Sequence, residues 1–409
     1  MSEQDVAEKT PDEAPETEPK RDWRHVMREI TESQATVVLF AVVASLVLGA
    51  LLIVFASEGV RASAGYFFSR PMDTIGAMWE AISSAYVAMF EGAFFNFGAA
   101  DFAGQIKPLT QTLTSATPLI FAGLGLGLGF RAGMFNIGAQ GQILIGATVG
   151  AYVGFAWHLP LGLHLLVAII GTIIGGALWG FIPGILKART GASEVIVTIM
   201  LNYIALNLVS FLLSKDTFQA EGSNNPKSPA VDASAQYPLI LGSDFRLHLG
   251  FLVAIAAAFG VWWLMERSTL GFQFRAVGAS PRAARTAGMN VGRVYVLVMV
   301  FAGALAGLAG SAQILGTEKA LTSDIAASFG FDAITVALLG RSRPGGIVMA
   351  AILFGGLRAS GPTLQVEAGV PIDIVLVIQS LIVLFIAAPP LVRTIFRLPS
   401  PRIVKEVTA

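Results

Sequence analysis

The chain has 409 residues, 54% of them hydrophobic and only 13% charged, with 27 basic side chains against 27 acidic ones. A soluble domain carries roughly 25% charged residues, so an ordinary soluble protein is excluded, and the neutral balance leaves no footprint for nucleic acid. Apolar runs of the ~20 residues needed to cross a ~30 Å hydrocarbon core recur along the chain, which defines an all-α, polytopic helical membrane protein. With no cysteine, disulfides, thiolate metal sites and thiol chemistry are ruled out. The four histidines, His25, His158, His164 and His248, are scattered and form no ligand pair at helical spacing, so no metal site is expected.

Residues 1–34 form an acidic cytoplasmic tail rich in Pro, Glu and Thr, too polar to bury a core and expected to be disordered, ending in a basic collar at Arg21, Arg24 and Arg28. No cleavable signal peptide is read there, because the first apolar run starts near Thr36 and is long enough to span. The transmembrane domain covers 35–391, and 392–409 form a cytoplasmic C-terminal tail. Spans are expected at about 36–56, 107–130, 134–157, 161–186 and 194–213. A polar stretch follows to about Arg246, and further spans are expected at about 247–265, 294–315, 325–340 (short), 345–361 and 372–388. Residues 75–90, with Trp79 and Glu80 among apolar positions, read as an amphipathic segment at the outer interface.

Basic residues fix the orientation through the positive-inside rule. About ten spans put every cluster on one side: Arg131; Lys187 and Arg189; Arg267 to Arg293; Arg341 and Arg343; and the C-terminal tail. Both termini are then cytoplasmic. An odd count would strand one of these clusters outside.

Glycines recur at four-residue spacing, Gly146/Gly150/Gly154, Gly176/Gly180/Gly184 and Gly303/Gly307, as expected where helix backbones approach closely in lipid. The run GLGLGLG at 123–129 does not fit a dinucleotide fingerprint, and no GxxxxGK[ST] phosphate loop occurs, so this chain binds no ATP through a Walker loop. A faint internal echo links Leu126–Gly133 with Leu338–Gly345, and Gln142-Ile-Leu with Gln313-Ile-Leu, as in transporters built from repeats.

Polar groups inside spans are costly unless they face other helices, a wet cavity or the interface. Asn136, Gln140 and Gln142 open the third span; Glu194, Thr198 and Asn202 stand at i, i+4 and i+8 on one face of the fifth; Gln379 lies in the tenth and Asp332 in the eighth. The first seven are candidates for a solute path, with helix-to-helix hydrogen bonding or interfacial placement as the competing reading, while Asp332 is an ionisable candidate that could instead cap a short helix near the outer surface. The loop 266–293 carries five arginines against Glu266. Within it, ASPRAARTA reads as a short helix with Ser280 as N-cap, Pro281 in the first turn and Ala283 and Ala284 as helix formers, bracketed by Gly278 and Gly288. A small cytoplasmic helix with a flat Ala face suits docking onto another protein.

Four segments carry a family resemblance: FRAGMFNIGAQGQILIGA, SEVIVTIMLNYIALNLVSFLL, FRAVGASPRAARTAGMNV and GFDAITVALLGRSRPGGIVMAAILFGGLRASG. They resemble the permease subunits of ATP-binding-cassette importers in the ribose and branched-chain amino acid group, nearest to the nucleoside permeases. Gln140 departs from the pattern, where that family typically carries Glu. The resemblance implies a type II-like importer fold in the cell membrane and a coupling helix at 278–288 seated on a cytoplasmic ABC ATPase. It also implies a second permease subunit, expected as a paralogous heterodimer partner, and an extracytoplasmic substrate-binding protein. The chain itself is then a transport subunit with no cofactor, ATP being used by the partner ATPase. A sugar or branched-chain amino acid is the alternative solute. An ion-coupled secondary transporter would need an intramembrane acid, for which Asp332 and Glu194 are the candidates.

Overall fold

The computed structural model describes residues 34–222 and 225–397, and the expectations for both chain termini lie largely outside them. The chain folds as fifteen α-helices among those residues: α1 Gln34–Ala56, α2 Glu58–Ala64, α3 Pro71–Ala93, α4 Phe102–Arg131, α5 Ala139–Ala156, α6 Leu163–Thr190, α7 Glu194–Leu213, α8 Gly250–Arg267, α9 Thr269–Ala279, α10 Pro281–Thr286, α11 Val291–Ser311, α12 Phe329–Leu339, α13 Pro344–Ala368, α14 Asp373–Ala387 and α15 Pro389–Ile395. A 3₁₀ turn at Ala233–Ala235 and a π-helical turn at Ala312–Thr317 complete the set.

Among the described residues, seven helices are long and apolar enough to cross a membrane: α1, α4, α6, α7, α8, α11 with its π turn, and α13. An eighth crossing results if α14 and α15, bent by 95° at their junction, count as one. The other two expected spans are weaker. α5 is 18 residues and opens with Gln140 and Gln142, while α12 is 11 residues, about 16 Å at 1.5 Å per residue. α3 is one continuous helix of 23 residues carrying Asp73, Glu80 and Glu91, and packs along α13.

The core is built on α4, the most buried of the long helices, with its Pro118–Gly129 stretch fully enclosed. Around it stand α13, α11, α12 and α8, and α6 packs against α11 and α5. The glycine spacing does what it promised between α6 and α11. A Cβ at Gly176 would strike the Gly303 carbonyl, one at Gly180 the Met299 carbonyl, and one at Gly307 the Thr172 carbonyl. Gly146 brings α5 into the same junction, where its Cβ would lie 2.7 Å from the Gly307 Cα.

The stretch between α7 and α8 is not a free loop. Ser228 N donates to Leu321 O, Val231 N to Lys319 O and Tyr237 N to Leu315 O, which ties it to the π turn and the segment after it. His164 fastens it from the other side, with Nδ1 2.7 Å from Ser234 Oγ and Nε2 3.0 Å from Val153 O. Tyr237 stacks on His248 at 5.4 Å, its hydroxyl 3.0 Å from Ser311 Oγ. Burial pushes the Tyr237 phenol up to about 12 and the His248 imidazole down to about 4.

Candidate functional site

Five of the seven predicted path residues come together, and they make a closed clasp. After α4 ends at Arg131, residues 132–138 run without helix and are apolar except for Asn136. Their backbone therefore needs partners, because a membrane interior supplies no water. Asn136 Oδ1 accepts from Gly138 N at 2.9 Å, and its Nδ2 donates to Gln142 Oε1 at 3.1 Å. From α7, Thr198 Oγ1 accepts from Ile137 N at 3.3 Å. Asn202 Oδ1 accepts from Gly141 N at 2.8 Å while its Nδ2 donates to Ile137 O at 2.9 Å. Gln140 reaches across the bundle, donating through Nε2 to Ala327 O at 2.6 Å and accepting at Oε1 from Gly330 N at 3.0 Å. Asn136, Gln142, Thr198 and Asn202 are all buried. Glu194 makes an ion pair with Lys187 at 2.5 Å and also meets the backbone of Phe135 in the unwound stretch. Gln379 is buried on α14, away from the clasp.

None of these seven lines the cavity of about 620 Å³ that opens beside the clasp. Its walls come from α3, α4, the π turn, the segment 317–329 and α13. Gln111, Thr114 and Ser115 of α4 and Gln313 of the π turn supply uncharged hydrogen-bonding groups. Lys107, Arg246 and Arg358 line the cavity together with Glu318 and Asp324. Arg358 also pairs at 3.2 Å with Asp332, which is not part of the lining. With Asp332 as the counter-ion of Arg358, the two remaining cations are matched by two acids, so the cavity suits a neutral polar solute better than an anion.

Three of the four prolines inside the described helices point at the same place, Pro183 of α6 being the exception. A proline has no N–H, so the carbonyl four residues earlier loses its helical donor. For Pro108, Pro118 and Pro362 those carbonyls belong to Gly104, Thr114 and Arg358, and all three residues line the cavity. The π turn shapes the wall at Gln313 and Thr317, with Gln313 O accepting from Glu318 N at 2.8 Å across the widened turn; π-type irregularities gather at functional sites. Interior prolines in apolar runs, visible in the sequence, were the signal that could have located this cavity. The expected ninth span instead stopped at Gly361, whereas α13 continues through Pro362 to Ala368.

The opposite end of α4 carries the predicted docking helix. Ser280 Oγ caps α10 by accepting from Ala283 N at 3.3 Å, with Pro281 at its first position. The Ala face is split: Ala283 is exposed, whereas Ala284 is buried against the fold. Gly278 lies directly on the Arg131 carbonyl and on Ala132. Gly288 has a left-handed φ of +82° with open space where a side chain would be. Arg131 is anchored to Glu266 at 2.8 Å, with Arg275 4.0 Å from the same carboxylate.

Bundle, clasp and cavity define a multi-pass transport protein of the cell membrane. Residues 109–387 match the model of the family described as branched-chain amino acid transport system / permease component, and the chain belongs to that family. It is 40% identical over 320 residues to the guanosine ABC transporter permease NupP of Bacillus subtilis, covering 76% of this chain and 87% of that protein. It is 37% identical over 287 residues to the glucose ABC transporter permease TsgB13 of Haloferax volcanii, covering 68% and 75%. It is 36% identical over 315 residues to the nucleoside ABC transporter permease NupB of Lactococcus lactis, covering 75% and 85%. No solved structure matches the chain.

Proposed function

We propose that this chain is the membrane-spanning subunit of an ATP-driven importer, and that its solute is a nucleoside carried through the cavity between α4 and α13. The charge-balanced, hydrogen-bonding cavity carries this reading. At about 620 Å³ it falls within the ~300–1,000 Å³ of small-molecule sites. Relatives named for guanosine and nucleosides support the solute class. The relative named for glucose supports a second reading, a simple sugar, which a charge-balanced cavity would also accept.

ATP would be consumed by a separate cytoplasmic ATPase, since this chain has no Walker loop. Its docking point would be α10, with Arg282, Ala283 and Arg285 exposed on it. A push there has a short physical route: Gly278 bears on Arg131 and Ala132, the clasp begins at the next residues, and Gln140 grips Ala327 and Gly330 at the cavity wall. A second, paralogous permease subunit and an extracytoplasmic binding protein complete the assembly proposed. ATP can shift the path only if it favours one of its conformations over the other.

The test is uptake of labelled guanosine by cells deleted for this chain and complemented with it. Restored uptake that unlabelled inosine or uridine suppresses, and glucose or leucine does not, is the expected result. Uptake independent of the chain, or competition by glucose alone, would overturn the nucleoside reading.

A further inference from the structure

Arg358 is the most constrained charged group in the cavity. Its guanidinium lies over the Phe329 ring, 4.1 Å from the centroid. Both of its hydrogen bonds leave from one nitrogen, Nη1: to Asp332 Oδ2 at 3.2 Å and to Ser328 Oγ at 3.1 Å. Asp332 Oδ2 in turn accepts from Ser328 Oγ at 2.8 Å. One face and one corner of the guanidinium are therefore fixed by α12, while Nε and Nη2 make no hydrogen bond within the described residues. The side chain is still 33% exposed and lines the cavity, so this second edge is wet.

A guanidinium edge is a rigid fork of two parallel donors. Such a fork matches two adjacent acceptors in one plane, and a purine with a 6-oxo group presents them at O6 and N7. Adenine presents a donor at N6 beside the N7 acceptor and mismatches the fork. A simple sugar has no planar pair of acceptors. Resting on the nucleoside reading above, we propose that Arg358, braced by Asp332, Ser328 and Phe329, is the residue that selects 6-oxopurine nucleosides in the transport cavity.

The brace matters as much as the charge. An unbraced arginine can swing to meet many partners, whereas one held at Nη1 and stacked on a ring presents its remaining edge in a single direction. Gln140 holds Ala327 and Gly330 on either side of Ser328 and Phe329, so the brace is itself anchored to α5. The Arg358 carbonyl, freed by Pro362, adds a backbone acceptor at the same residue.

Arg358→Lys keeps the charge beside Asp332 and removes the fork. In complemented cells with their own binding protein and ATPase, uptake constants are measured for guanosine, inosine and adenosine, with the membrane level of each variant quantified. Arg358→Lys is expected to lower the preference for guanosine and inosine over adenosine at least about tenfold, the scale of one bidentate base contact. Phe329→Leu, which loosens the stack but keeps the guanidinium, should lower it by a smaller factor. An unchanged preference, or an equal loss for all three nucleosides, overturns the assignment while leaving the nucleoside reading in place. If Arg358→Lys does not reach the membrane, Phe329→Leu decides alone: an unchanged preference overturns the assignment. A wild-type protein that takes up none of the three overturns the nucleoside reading, and this assignment with it.

Discussion

The clasp at 136–142 and the cavity beside it are both polar, both lie among apolar helices, and meet at Ala327–Gly330, yet they treat polar groups in opposite ways. In the clasp, Asn136, Gln140, Gln142, Thr198 and Asn202 spend their side chains on one another and on backbone atoms of the unwound stretch. In the cavity, interior prolines take backbone donors away, and Gln111, Gln313 and Arg358 line open volume. The first arrangement closes a gap in a helix where no water can enter. The second keeps acceptors and donors available for something that passes through. A carboxamide in an apolar run can belong to either, and only its partners say which.

The sharpest way to break this contrast is to open the clasp. Asn202→Leu leaves Gly141 N and Ile137 O buried without partners, each costing about 1–3 kcal/mol. The expected total is roughly 2–5 kcal/mol, seen as poor accumulation or a melting temperature lowered by several degrees in detergent. Wild-type melting would show that the clasp is not a closed structural unit.

His248 is one of three side chains among the described residues, with Trp179 and Arg275, that bury a nitrogen without a hydrogen-bond partner, and its Nε2 lies next to Gly316 of the π turn. Desolvation lowers its folded pKa from 6.5 to about 4. The unfolded chain therefore takes the proton more readily, and stability is full above pH 6.5 and falls as pH drops toward 4. At pH 5 the loss is about 2 kcal/mol. Melting of the wild type between pH 7 and 5 should show it, and His248→Leu should flatten that part of the curve; equal slopes would remove His248 as the cause.

Gln140→Glu probes the contact between clasp and cavity wall. A carboxylate can still accept from Gly330 N but cannot donate to Ala327 O, so that carbonyl loses its partner. A destabilisation of about 1–2 kcal/mol at neutral pH is expected. A variant that melts like wild type at pH 7.5 would mean that the Ala327 bond contributes nothing.

Much of this was readable from residue patterns, and the failures have physical causes. The apolar runs of α1, α6, α7 and α8 and the glycine contacts between α6 and α11 follow directly from composition and spacing. The third span was expected from Met134, but the helix starts at Ala139, because apolar residues can be unwound when buried carboxamides satisfy their backbone. The i, i+4, i+8 stripe on α7 was seen, yet Thr198 and Asn202 turn to the clasp while Glu194 turns to Lys187. Arg358, the cavity residue with most to say, was passed over. Its partners Ser328, Phe329 and Asp332 lie on a short helix some 26–30 residues earlier, beyond any local pattern.

The smallest stability effect is expected where the contrast is cleanest, at Gln111 in the cavity wall. The side chain is half-buried and faces volume that a solute or water would fill. Replacing it with leucine removes a hydrogen-bonding group from a wet surface rather than from a closed network, so no buried partner is stranded. Gln111→Leu should therefore melt within about 0.5 kcal/mol of wild type, in contrast with Asn202→Leu. Transport is where it should register: loss of one uncharged hydrogen bond to a solute is worth roughly 0.5–1.5 kcal/mol, or about a two- to tenfold rise in the uptake constant. Measuring both quantities on both variants separates a wall that holds the protein together from a wall that handles the solute. If Gln111→Leu melts as early as Asn202→Leu with an unchanged uptake constant, the cavity is packing that happens to be loose, and the solute passes elsewhere.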